Sequence, residues 1–294
     1  MADEKDSLDD LRQQVDDVDA RLQKLLMERA SIVERIAGHK GKGPVTRPGR
    51  EAQVLRRIVE RHSGSFPLRG MLRIWREIIS SSSLIQGHFD VAYFCGDVGP
   101  ILRSITRDHY GTLAGLIPCG SAAQVLQHVS ESPHVIGVLP FPQLEEQDSW
   151  WQALARSGSD VPKIIARLPF GSMAGGEDKV EALAISRVKP EASGEDTSFL
   201  VVETHEQISR SGLRDLLQKA GLEVLSLRSY LESGGSTLSL LEVEGFVTEA
   251  DKAFDALNAL EDARIGQCWF LGAAAVPLTA NAIEKKPADK GKQK

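Results

Sequence analysis

An apolar stripe runs through the first forty residues: Leu8, Leu11, Val15, Val18, Leu22 and Leu25 recur at steps of three and four, and the same steps continue through Arg29, Ile32, Ile36 and Lys40. That period belongs to an α-helix and to no strand. It also obliges the chain to find something for roughly thirty residues of stripe to pack on. Two cations, Arg29 and Lys40, stand at stripe positions. A second stripe reads Glu51, Val54, Leu55, Ile58, and a third reads Met71, Trp75, Ile78, Ile79, Ser82, Gln86. Each of the three helices therefore turns polar groups toward its packing face.

Burying an unpaired charge costs several kcal/mol, roughly, so two cations and a carboxylate directed into one helical core need partners or a ligand. A small, doubly anionic ligand meets that need. The alternative is that Arg29, Lys40 and Glu51 neutralise one another, or that the long cationic side chains reach out to solvent.

Local signals bound the three helices. Ser7 can cap the first, with Asp9 and Asp10 in its first turn, and the stripe carries it to about His39. The breaker-rich run GKGPVTRPG, Gly41 to Gly49, ends it; a second helix is expected from near Arg50 to about Arg61, and a third over Leu68 to Gly87. The first helix, about 45 Å long at 1.5 Å per residue, exceeds what two shorter helices can cover. Leu8 to Leu25 keeps a heptad-like spacing, so a homodimer through this helix is expected.

Beyond His88 the pattern changes to short apolar runs. DVAYFCG and VIGVLPF read as strands flanking a helical SAAQVLQHV, and ALAIS from Ala182 and FLVVE from Phe199 add two more. A helix at Gly212 to Ala220, strands near Leu222 to Tyr230 and Thr237 to Glu244, a helix over Glu249 to Leu260 and a strand near Cys268 to Leu271 suit a ferredoxin-like βαββαβ unit. The expected fold class is multidomain: an all-α domain over 1–88, an α/β domain over 89–200, a ferredoxin-like α+β domain over 201–280, and a low-complexity tail over 281–294.

The charge distribution narrows the partners. Up to His88 there are sixteen Lys and Arg against thirteen Asp and Glu, a balance of +3, which leaves −9 for the remainder of a chain whose net charge is −6. An acidic protein without an aromatic-interleaved basic patch is a poor nucleic-acid binder. Cys95, Cys119 and Cys268 are widely spaced with no CxxC pairing, so no metal site or disulfide framework is expected. The N-terminus has no basic start and apolar run, and no stretch reaches the eighteen or so apolar residues that span a membrane. A cytoplasmic location is expected.

With these residues placed, Leu8 to Gln86 resembles the all-helical chorismate mutase family. LDDLR, LLMERASIVERIAGHK, the run ending PGRE at Glu51, and IISSSSLIQ fall in family order and spacing. The resemblance implies an isomerase that converts chorismate to prephenate, with site positions at Arg12, Arg29, Lys40, Arg50, Glu51, Ser82 and Gln86, and with Arg12 donated by the partner chain. Arg47 departs from the pattern, standing where many members place an acid that contacts the substrate hydroxyl, a role that Glu51 could serve.

Chorismate carries two carboxylates, and its rearrangement is a concerted pericyclic step that needs neither nucleophile nor general base and no cofactor. Arginine forks can clamp the carboxylates in the reactive conformer. Lys40 and Gln86 would donate to the ether oxygen as its C–O bond breaks, and donors of this kind are worth roughly 3 to 4 kcal/mol each. Arg29 and Lys40, eleven residues apart, differ by about 20° around the helix and about 16 Å along it, and Gln86 lies one turn after Ser82. In some relatives a Glu at the glutamine position imposes an acid pH optimum, so Gln86 predicts activity at neutral pH.

The remainder resembles a truncated prephenate dehydratase with an ACT-like domain. CGDVGP from Cys95, VIGVLPF and TSFLVVE carry the first likeness, with Ser198 in place of the family's arginine and the second lobe missing between Trp151 and Glu181. SGLRDLL, SLRSYLESGG and WFLGAAAVP, within Val201 to Pro277, carry the second, with altered ligand motifs at Ser211 and Leu227. The expected function is a chorismate mutase whose C-terminal region is non-catalytic. A bifunctional mutase and dehydratase is one alternative; a non-catalytic helical dimerisation module joined to an amino-acid-sensing domain is the other.

Overall fold

The structure, a computed structural model, describes residues 7–40, 45–143, 149–158, 160–171, 180–205, 208–231, 236–258, 264–279 and 283. Three helices lead: α1 (Leu8–Lys40), α2 (Pro48–Arg61) and α3 (Leu68–Gln86). Ser7 caps α1, its Oγ accepting from the Asp10 amide at 3.2 Å while the Asp10 carboxylate accepts from the Ser7 amide at 3.0 Å, a reciprocal closure of the first turn. α2 starts two residues before Arg50, because Pro48 has the fixed φ and the missing N–H that suit a first helical position. Part of the preceding breaker run, residues 41–44, lies outside the described residues.

Among the described residues nine strands follow: β1 (Asp90–Phe94), β2 (Gly115–Cys119), β3 (Val135–Pro140), β4 (Lys163–Leu168), β5 (Ala182–Ser186), β6 (Asp196–Thr204), β7 (Val224–Leu231), β8 (Thr237–Glu244) and β9 (Ile265–Ala275). Between them run α4 (Gly99–Tyr110), α5 (Ala122–Glu131), α6 (Arg210–Lys219) and α7 (Lys252–Asn258). All nine strands join one sheet in the order β2-β1-β3-β5-β4-β9-β6-β8-β7. β2, β1 and β3 are parallel, as a βαβ unit requires, and β9, β6, β8 and β7 are antiparallel in the ferredoxin-like order.

The sequence reading leaves out α4, β2 and β4. Its strand from Phe199 starts late: β6 begins at Asp196 and pairs along its length with both β8 and β9. A boundary between residues 200 and 201 therefore falls inside a strand that belongs whole to the C-terminal half of the sheet. The two halves meet where β4 runs beside β9 at Ile164 and Gly272. A Cβ on Gly272 would stand 2.2 Å from the Ile164 carbonyl oxygen, and its φ of 138° is a conformation that side chains avoid, so this junction requires glycine.

The apolar core follows the sheet. α4 covers Val91, Tyr93, Ile136 and Val138 on one face; α5 and the turn Trp150–Leu154 cover Leu139, Ile164, Leu183 and Phe199 on the other. α6 and α7 cover Leu200, Val202 and Leu241. α2 and α3 form a further cluster in which Leu55, Leu72 and Ile79 meet Phe170 and Ile283. Most of the tail expected over 281–294 lies outside the described residues, yet Ile283 is buried in this cluster, so the packed chain extends past the expected boundary.

Candidate active site

The third helix decides what the site contains, because it buries two faces. One carries Ser82 toward α1. There Arg29 Nη1 donates to Ser82 Oγ, which itself donates to the Ile78 carbonyl at 2.5 Å. Gln86 Nε2 donates to the Ser82 carbonyl at 3.2 Å, so Arg29, Ser82 and Gln86 gather around one turn. Arg29 is half-buried, and its burial lowers the guanidinium's proton affinity below the ordinary value. A cation held by one hydroxyl, with a side-chain amide beside it, is a receptive arrangement for a carboxylate.

Lys40 closes α1, and its side chain lies outside the described residues. Arg12 is exposed near the start of α1 and pairs with Asp9 at 3.0 Å. It precedes Arg29 by seventeen residues, about 25 Å of helix, and so stands beyond reach of the Ser82 turn within one chain. Arg50 is exposed and donates to Gln53 Oε1 at 3.3 Å.

Glu51 pairs with Arg76 on the other buried face of α3, Arg76 Nη1 donating to Glu51 Oε2 at 3.2 Å, with the side chains only 13% and 9% exposed. Burial pushes the Glu51 carboxyl above the ordinary value, while Arg76 and a backbone hydrogen bond from Arg47 pull the other way. Burial likewise lowers Arg76, and Glu51 and Tyr110 oppose it.

Arg76 was not among the expected site residues because the third stripe was read on one side only. Leu68, Leu72, Arg76, Ile79 and Ser83 are all buried and follow a second run of three- and four-residue steps, which was the available signal. Beneath Arg76 lies the ring of Phe170, 5.4 Å from its Cζ to the ring centroid, with the Cζ of Arg56 from α2 at 5.7 Å. Arg56 is tied to the carbonyls of Ser193, Glu195 and Val276 at 2.8 to 3.3 Å. His109 and Tyr110 of α4 complete this seam. The imidazole is held well below its ordinary value by burial and then by Arg76; burial drives the phenol upward, and its hydroxyl is buried without a hydrogen-bond partner.

Arg47 also has a structural explanation. Its Nε donates to both oxygens of Glu191, at 3.0 and 3.1 Å, which places it on the α/β region. Two residues later a Cβ on Gly49 would stand 2.5 Å from the Glu191 carbonyl oxygen, so the start of α2 lies directly on that backbone.

On the dehydratase-like side, Thr197 and Ser198 are buried within β6, and Ser198 Oγ donates to the Gly245 carbonyl at 2.9 Å and accepts from the Val247 amide at 2.8 Å. Part of the segment where the second lobe was expected to be missing, residues 172–179, lies outside the described residues, but β4 lies within it. Among the described residues no helix is long and apolar enough to cross a membrane.

The family profile for chorismate mutase type II matches residues 11–87. Curated relatives include the bifunctional chorismate mutase/prephenate dehydratases of Neisseria gonorrhoeae, 34% identical over 108 residues (37% of this chain, 30% of that protein), and Pseudomonas aeruginosa, 32% identical over 153 residues (50% and 41%). The corresponding protein of Aquifex aeolicus is 30% identical over 141 residues, 46% of this chain and 39% of its own. The chain thus spans less than half the length of the curated relatives it matches. A prephenate dehydratase from Arthrobacter aurescens, solved with L-Phe, is 17% identical with a TM-score of 0.47, covering 67% of this chain and 92% of its own. A quorum-quenching acylase, GqqA, is 18% identical with the same TM-score, covering 67% of this chain and 98% of its own. The match to the chorismate mutase type II family thus falls on the N-terminal helical segment, residues 11–87.

Proposed function

We propose that the protein is a chorismate mutase, an isomerase that turns chorismate into prephenate by a Claisen rearrangement in phenylalanine and tyrosine biosynthesis. We further propose that it works as a cytoplasmic homodimer. The observation that carries this reading is the Arg29–Ser82–Gln86 group on the seam of α1 and α3, within the segment that matches the family.

The reaction asks for two things of such a site. It must hold a dianion in a folded conformer, and it must stabilise the negative charge that grows on the ether oxygen. Arg29 supplies a fork for one carboxylate and Arg12 of a second copy supplies another, with Arg50 and Ser82 as further substrate contacts. Lys40 and Gln86 donate to the ether oxygen. Glu51 accepts from the substrate hydroxyl, since a carboxylate engaged by Arg76 at one oxygen keeps accepting capacity.

The dimer follows from α1, whose Leu11, Val18, Leu22 and Leu25 are 46 to 59% exposed. Burying a Leu or Val side chain is worth about 1.5 to 3 kcal/mol, so a second copy laid along this helix has ample driving force. The C-terminal region is read as a non-catalytic scaffold: where dehydratases carry an arginine, Ser198 serves the turn that follows β8 instead.

The test is to follow loss of chorismate absorbance with the purified chain and to measure its thermal shift with a bicyclic transition-state mimic. A saturable rate at neutral pH and a shift with the mimic are expected. No rate above the uncatalysed background and no shift would leave the helices as a dimerisation module only.

A further inference from the structure

The seam between α2 and α3 contains a chain of contacts that the mutase reading leaves unused. The Glu51 carboxylate rests on Arg76, the Arg76 guanidinium rests on the Phe170 ring, and the same ring carries Arg56. Phe170 follows β4 and is itself anchored, its carbonyl accepting from the Leu278 amide at 2.7 Å. It is a wedge from the α/β region, lying against Arg56 of α2 and Arg76 of α3.

We propose that Arg76, held in place by Phe170, is the positioning residue for Glu51, fixing its carboxylate in the ionised form, so that the α/β region sets the state of one member of the mutase site. The physical reason is the depth of the pair. A carboxylate this buried binds a proton in preference to staying charged unless a cation stands beside it. Arg76 is that cation, and in turn it is too buried to remain without the carboxylate beside it and the π face of Phe170 beneath it.

Among the described residues, the other groups packed around the pair are neutral or engaged elsewhere: Arg167, which lines a small cavity with Arg76, His109 and Phe170, pairs with Glu181 at 2.8 Å and Glu242 at 3.1 Å. His109, from α4, is neutral, and the Tyr110 phenol is neutral and unpartnered. Asp108 shares with Arg76 and Phe170 the lining of a cavity of about 30 Å³, but its carboxylate is committed to Arg73 at 2.8 Å. Arg56 lies across the ring and is committed to backbone carbonyls. The link from Glu51 to turnover rests on the mutase reading; the link from Arg76 and Phe170 to the charge of Glu51 does not.

The experiment is carried out on the full chain with ¹³C-labelled glutamate carboxyls, the Glu51 resonance being assigned with Glu51→Gln. Glu51 is titrated in the wild type, Arg76→Met, Arg76→Lys and Phe170→Leu, and the mutase rate is recorded across pH for each. Arg76→Met is expected to tighten proton binding at Glu51 by about tenfold or more, Arg76→Lys to restore most of the wild-type titration, and Phe170→Leu to fall between. The rate of Arg76→Met should then recover by about tenfold between about pH 6 and about pH 8.5, a pH-dependent rescue that a merely structural loss would not give.

An unchanged Glu51 titration in Arg76→Met overturns the inference. If that variant does not fold, an unchanged titration in Phe170→Leu does so. A wild-type protein silent toward chorismate would refute the mutase reading while the titrations still decide the role of Arg76. An active wild type with unmoved titrations would refute the positioning role alone.

Discussion

The two sides of the helical segment face opposite circumstances. Along α1 the stripe that opens the sequence is bare, and of its whole length only Val33 is a buried apolar residue. Along α2 and α3 the chain's own C-terminal half has filled the space: Phe170 and Ile283 pack against Leu55 and Leu72, Glu191 takes Arg47, and the backbone of residues 193–195 takes Arg56. The difference shows which half of the site depends on what. On the proposed reading a second copy completes the α1 side, with Arg12, Arg29 and Lys40, whereas Glu51 on the α2 side touches Arg76, which rests on Phe170 of the α/β region.

The strongest blow to the α1 side is a charge in the bare stripe. Val18→Glu with Leu22→Glu would place two carboxylates in the proposed dimer seam, where unpaired charges cost several kcal/mol, roughly. Light scattering should report a monomer, and the mutase rate should disappear with the dimer; a dimer that persists with full rate would remove α1 from the interface. The matching blow on the other side is Phe170→Ala. Truncating a buried phenylalanine costs about 3 to 5 kcal/mol, so the melting temperature should fall clearly while the protein remains dimeric.

A gentler probe uses acid. His109 is neutral in the fold because burial, and then Arg76, hold it below its ordinary value of 6.5. The unfolded chain takes up that proton below 6.5 and the folded chain does not, so the stability contributed is complete above 6.5 and is lost as pH falls below it. The slope is at most about 1.4 kcal/mol per pH unit for one proton. His109→Gln should flatten this part of the stability curve measured by urea unfolding, and an unchanged curve would show that His109 charges freely in the fold. The smallest effect is expected at the partly exposed Arg47–Glu191 pair, where Arg47→Ala should cost under about 1 kcal/mol. A large loss of activity there would instead put Arg47 in contact with the ligand.

What could be read from the sequence follows the range of the signals. The start of α1 and the end of α3 were legible because Ser7 and Gly87 act within a few residues of the helix they bound, whereas Pro48, part of the breaker run, opens α2 two residues before the expected start. The ferredoxin-like unit was legible because its strands and helices alternate in order. The junction of the sheet at Ile164 and Gly272 was not, since it joins strands about a hundred residues apart and is marked by a single glycine. β2 is only five residues long and carries Pro118, so it gave little alternation to detect. Arg29, Ser82 and Gln86, which the structure brings to one turn, stand at three- and four-residue steps along the stripes of α1 and α3. Arg76 was missed because its partners, Glu51 and Phe170, lie 25 and 94 residues away, and because a helix covered on two sides carries two superposed stripes.

The central claim is that Arg29 and its companions on the α1–α3 seam hold chorismate for rearrangement. It is tested most directly by chorismate consumption measured side by side for the wild type and Arg29→Ala at neutral pH. A clear wild-type rate and a loss of about a hundredfold or more in kcat/KM for the variant are expected, with the oligomeric state and the melting temperature retained. A wild-type rate that survives Arg29→Ala undiminished would contradict it.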